Sequence, residues 1–136
     1  MEKGLGDMNK DQLIHEIGSK LVEDIGVRKV NWTHLVLVGI IEQDNPEMAG
    51  FVYMNGEHEP VAPRDFSILR LLEKLRKAMA AADKKEPWCS CLIRINRATG
   101  AIDFEFEYDK VDRWAINLKN SEQRASELSP LKGHRL

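Results

Sequence analysis

The sequence predicts an α+β domain: a single-layer antiparallel sheet covered by helices, in the order α-β-β-α-β-β with room for a short last helix. Three observations lead there. Residues 101 to 109, Ala-Ile-Asp-Phe-Glu-Phe-Glu-Tyr-Asp, alternate apolar and acidic side chains without a break, which is the period of a half-buried strand. Apolar residues recur at helical spacing over residues 9 to 25 and again from Asp65 to Asp83. Pairs of strand-like runs are joined by turn residues, the mark of antiparallel hairpins.

The first helix carries Leu13, Ile14, Ile17, Leu21, Val22 and Ile25 on one face, with Asn9 as N-cap, Gln12 three residues on and Gly26 as a stop. Trp32 to Ile41 and Met48 to Asn55 follow as two strands of a hairpin turned by Asp44-Asn45-Pro46. Leu35-Val36-Leu37-Val38 is apolar at every position, which suits a central strand covered on both sides for part of its length, a buried helix segment being the alternative that period alone leaves open. Asn55 to Pro60 reads as a turn, and Pro63 precedes a helix with Ile68, Leu72, Leu75, Met79 and Ala82 on its buried face. Pro87 stops that helix. Trp88 opens a strand with Cys89, Cys91, Ile93 and Ile95 inward and Ser90, Leu92, Arg94 and Asn96 outward. Asn96 to Gly100 turns the chain into the acidic strand, where Arg94 is placed to pair with a carboxylate. After Arg113 only Trp114, Ile116 and Leu118 interrupt a polar stretch, with a short helix expected from Ser121 to Leu128.

At 136 residues the chain is expected to form one domain with its own core, residues 1–8 and 129–136 being flexible. A net charge of −2 provides no global attraction for nucleic acid. The first residues lack an apolar signal core, and no apolar run approaches the ~20 residues of a membrane span. A cytosolic protein is the expectation.

Chemistry-bearing residues are sparse. Cys89 and Cys91, two apart on one strand, point the same way at a separation that disfavours a bridge, and no Cys or His pair elsewhere has the spacing of a metal set. Neither cofactor nor metal is expected. His15, His34, His58 and His134 are scattered over a helix, a strand, a turn and the tail. Gly4-Leu5-Gly6 does not follow a strand and is no dinucleotide loop. The chain therefore reads as a protein without a catalytic constellation.

What remains is the acidic row. Asp103, Glu105, Glu107 and Asp109 share one face of their strand, and Ile102, Phe104, Phe106 and Tyr108 share the other. Four solvated carboxylates lack the desolvation that tunes a catalytic pKa. They suit either a plain outer face or a surface that attracts a positively charged partner. Trp88 and Tyr108 would anchor such a partner if exposed, and would be core residues otherwise.

A helix followed by Lys85-Glu86-Pro87-Trp88, a strand, a Thr99-Gly100 turn and Phe104-Glu105-Phe106-Glu107-Tyr108-Asp109 resembles the YezG-like family of bacterial immunity proteins. The resemblance covers residues 65 to 115, and the two cysteines after Trp88 and the polar tail depart from it. It implies a protein that binds and neutralises one cognate toxin domain, often a nuclease, with no catalytic residues of its own. Two rivals stand beside this reading: a small enzyme, which needs a pocket holding acidic or histidine side chains, and a regulatory or scaffolding domain that oligomerises through a sheet edge.

Overall fold

The computed structural model describes residues 9–28, 31–41, 46–84 and 86–129. Along the chain run α1 (Lys10–Arg28), β1 (His34–Ile40), β2 (Glu47–Met54), β3 (Glu57–Val61), α2 (Ser67–Asp83), β4 (Ser90–Asn96), β5 (Ile102–Glu107) and α3 (Ser121–Glu127). The strands form one antiparallel sheet in the order β3-β2-β1-β4-β5. The α+β class is as the sequence predicts.

Local chemistry explains the element boundaries. The Asn9 side chain accepts the Gln12 N–H (2.9 Å) and the Gln12 side chain accepts the Asn9 N–H (3.0 Å), a reciprocal cap at the start of α1. The helix runs on to Arg28, past Gly26. Before α2, Asp24 of α1 accepts the N–H groups of Arg64 and Asp65, which ties the two helices at the point where the second begins. The buried stripe of α2 is Ile68, Leu71, Leu72, Leu75 and Met79, and the expected Ala82 lies exposed.

Leu13, Ile17, Leu21 and Ile25 of α1 and the stripe of α2 pack on one sheet face, against Leu35, Leu37, Val52, Cys91, Ile93 and Ile95. Ile102, Phe104, Phe106 and Tyr108 close this core at its β5 side. Cys89 and Cys91 are buried free thiols, and burial pushes the Cys91 thiol up to about 12, so it packs as a small neutral hydrophobe.

Two features differ from the sequence reading. Asn55 and Gly56, with φ of 47° and 81°, form a two-residue hairpin turn rather than the start of a longer loop, and Glu57–Val61 then pairs with β2 as an additional strand. The second sheet face is covered along β1, as the apolar run Leu35-Val36-Leu37-Val38 predicts, but the cover extends over β4 and comes from a segment that reads as polar. Val36, Val38, Ile40, Phe51, Tyr53 and Leu92 are buried there beneath Trp114, Ala125 and Leu128. Residues 111–129 are therefore a third layer, and Ser90, Leu92 and Arg94, expected to face outward, are buried under it at 0%, 1% and 7% exposure. Asparagines shape this polar segment. Asn117 and Asn120 accept each other's backbone N–H groups and set the turn before α3, and Asn120 Nδ2 and Arg124 Nε both donate to the Ala115 carbonyl.

The third layer is fastened to the sheet by the Tyr53 hydroxyl, which donates to the Ala125 carbonyl at 2.8 Å in a buried contact. Tyr53→Phe removes that bond and should lower stability by about 1 kcal/mol, read as a lower urea midpoint at unchanged slope. Gly50 lies opposite Leu37, where an added Cβ would collide with the Val36 carbonyl and stand 2.8 Å from the Leu37 Cα. Gly50→Ala should cost about 1–3 kcal/mol in the same experiment, because backbone must move to admit it.

Candidate functional site

The acidic row lies on β5, the last strand at one edge of the sheet. Register sets Asp103 directly opposite Arg94, and Glu105 opposite Leu92. Side chains two residues apart on a strand share a face, so the Arg94 fork reaches both carboxylates. Nη1 donates to Asp103 Oδ2 at 2.8 Å and Nη2 donates to Glu105 Oε2. The Arg94 side chain is 9% exposed, while those of Asp103 and Glu105 keep 50% and 42%. A buried guanidinium thus holds two half-exposed carboxylates from beneath, at fixed positions. The Arg94 Nε is buried without a hydrogen-bond partner among the described residues.

Glu107 is engaged differently. One carboxylate oxygen accepts the N–H groups of Asp109 and Lys110 at 3.0 and 3.1 Å, and the other accepts from Arg113 Nη1 at 3.0 Å. Those bonds favour the charged form and hold the Glu107 carboxyl down at about 2, the backbone donors contributing most. Arg113 also stacks over the Trp114 ring, 4.7 Å from its centroid. The turn that leaves β5 is thereby joined to the layer over the second face. Asp109 lies beyond the strand and is exposed.

The row expected as solvated carboxylates, with Arg94 pairing one of them, is thus three engaged ones and one exposed one. Arg94 and Arg113 reduce its formal charge from −4 to −2. Trp88 cannot touch a partner: it is 0% exposed, its ring stands 5.2 Å from that of Phe106, and its carbonyl accepts from Arg76 Nε. It is a core residue. Tyr108 is half-buried against the same core. Sequence patterning found the carboxylates and named Arg94 as a cross-strand partner. It missed Arg113, whose signal was its place beside Trp114.

Two hollows flank the third layer. One, of about 350 Å³, is lined by Arg94, Glu105, Arg113, Trp114, Arg124 and Glu127, and each of its guanidinium groups is paired with a carboxylate. The other, of about 790 Å³, is lined by Ala49, Phe51, Pro60, Val61, Arg64 and Ile116 among others, with Arg64 its one ionisable side chain among the described residues. His58 Nε2 stands 3.3 Å from Glu122, bridging β3 to α3, and burial lowers the pKa of His34. His134 lies outside the described residues. No group of three or more His, Cys, Asp or Glu side chains that could hold a metal ion occurs among the described residues, and no helix among them is long and apolar enough to cross a membrane.

No protein-family model matches the chain, and no curated protein matches it.

Glu107 generates a pH prediction. Its folded pKa lies below the ordinary value of about 4.3, so its contribution to stability is full above that value and is lost as pH falls toward about 2. Glu107→Gln should lower the urea midpoint at neutral pH, and the gap from the native chain should narrow steadily between about pH 4.3 and pH 2. A gap independent of pH would show that the carboxylate charge does not support the turn.

Proposed function

We propose that the chain is an immunity protein, a binding protein that neutralises a cognate bacterial toxin domain, most simply a nuclease, by occluding it inside the cell that makes both. The observation that carries the reading is the pair Asp103 and Glu105, each about half exposed yet held from beneath by Arg94 at the edge of the sheet. Carboxylates fixed before encounter lose little side-chain entropy on binding. With exposed Asp109 they form a local acidic strip on a chain whose net charge is only −2. Such a strip is complementary to the positive groove by which a nuclease holds phosphate, and charge complementarity speeds encounter and selects the partner. The resemblance of the Glu-Pro-Trp, Thr-Gly and Phe-x-Phe-x-Tyr-Asp motifs to those of YezG-like immunity proteins supports the same reading.

The test is co-expression with the C-terminal domain of the protein encoded immediately upstream. The reading requires a complex that survives purification and restored growth of cells that carry the toxin domain. No complex together with no protection would contradict it. Asp109 is exposed and its side chain makes no hydrogen bond or ion pair among the described residues, so Asp109→Lys probes the surface alone. It should slow association at low salt, with the difference fading once ionic strength passes ~0.15 M, where the screening length is about 8 Å. Equal association rates at low salt would remove Asp109 from the interface.

A further inference from the structure

Among the described residues no strand pairs with the outer side of β5, and its backbone alternates in a way the register makes explicit. The Asn96 N–H donates to the Ala101 carbonyl at 2.9 Å, which makes these opposed residues a hydrogen-bonded pair. In an antiparallel ladder such pairs recur every second residue. The backbone groups of Asp103, Glu105 and Glu107 therefore point at β4, and the Glu107 carbonyl accordingly accepts the Cys89 N–H at 2.8 Å. Those of Ile102, Phe104 and Phe106 point away from the sheet, where the strand order ends.

The side chains on this edge are equally ordered. Ile102, Phe104 and Phe106 continue the helix-covered core to its border, where each remains partly exposed. Asp103 and Glu105 stand on the other face, half exposed and held by Arg94. The opposite edge of the sheet differs, because β3 contains Pro60, which has no N–H to offer, and its exposed residues include Glu57 and Glu59.

We propose that β5 accepts an added strand from a partner protein, one that alternates basic and apolar side chains. Opposed residues of neighbouring strands share a face. Lys or Arg of the incoming strand then meets Asp103 and Glu105, while its apolar residues extend the border formed by Ile102, Phe104 and Phe106. A second copy of this chain does not fit. Antiparallel pairing of β5 with itself that keeps the apolar residues on the core face sets acid against acid, Glu105 against Glu105 and Asp103 against Glu107 in one register and Asp103 against Glu105 in the register two residues away, and like charges directly opposite one another destabilise a pair. The carboxylates thus discourage self-association through an edge that lacks proline and favour a basic strand. The inference supplies a contact mode for the immunity reading and rests on that reading only for the biological source of the strand.

The experiment titrates the full chain, isotopically labelled for NMR, with a synthetic peptide that alternates Lys and Val, and follows amide hydrogen exchange. Strand addition predicts that the amides of Ile102, Phe104 and Phe106 slow by about tenfold or more at saturation, equivalent to about 1.4 kcal/mol. Those of Asp103 and Glu105, already paired with β4, should not change. The same peptide N-methylated at alternate residues keeps its charge and loses its donors on one edge, and should bind at least about tenfold more weakly. Equal binding by the N-methylated peptide, or unchanged exchange at the three amides, would overturn the proposal in favour of simple charge attraction. A concentration-dependent dimer that protects the same amides without peptide would overturn the argument against self-pairing. Growth protection by a toxin complex in which these amides still exchange freely would overturn the edge while leaving the immunity reading standing.

Discussion

A central strand with apolar side chains on both faces is the constraint on which the other features depend. Leu35 and Leu37 face the helices while Val36, Val38 and Ile40 face the other way, and all five are buried. Each of the latter would forfeit roughly 1.5–3 kcal/mol if left in water. An antiparallel sheet can leave one face to solvent only when that face is polar, and here it is not. Residues 111–129 supply the cover through Trp114, Ala125 and Leu128, with the Tyr53 hydroxyl fixing α3 over the strands.

That cover also shapes the acidic edge. It spreads over β4 and buries Arg94, and a guanidinium so nearly withdrawn from water must find carboxylates. Asp103 and Glu105 are the ones in register, and the demand of Arg94 holds them in place. Glu107 performs the adjoining task by gathering the backbone of the turn and Arg113, whose guanidinium stacks on Trp114 of the cover. The carboxylates are therefore tied to the interior at one end and open to solvent at the other. An edge built this way keeps its carboxylates at set positions while leaving Asp103 and Glu105 about half exposed.

Much of this was legible in the sequence, and the remainder fails for identifiable reasons. Period-two alternation put Asp103, Glu105 and Glu107 on one face and Phe104 and Phe106 on the other, and the Asn9–Gln12 cap and the stripe of α2 were equally readable. Alternation tells which residues share a face but not what covers it. Arg94 consequently reads as outward although it is buried, and Trp114 reads as an isolated apolar residue in a polar stretch and Leu128 as the end of a short helix, although both close a core. The apolar run of β1 already asked for a second cover. Its provider was obscure because asparagine side chains, rather than apolar periodicity, shape that segment. Asn55-Gly56 was a hairpin signal in plain form, and β3 after it carries Glu57, Glu59 and Pro60, a composition that suits an edge strand and no other.

Native-state hydrogen exchange on the intact chain tests most directly whether residues 111–129 form an integral layer. If they do, the amides of Arg124 and Leu128, hydrogen-bonded to Asn120 and Arg124 respectively, open only with the sheet. Their opening free energies should then match those of Val36 and Val38 to within about 1.4 kcal/mol, a factor of ten in exchange. Exchange of Arg124 and Leu128 at rates near those of an unstructured chain, with Val36 and Val38 still protected, would show that β1 needs no second cover and would contradict the account.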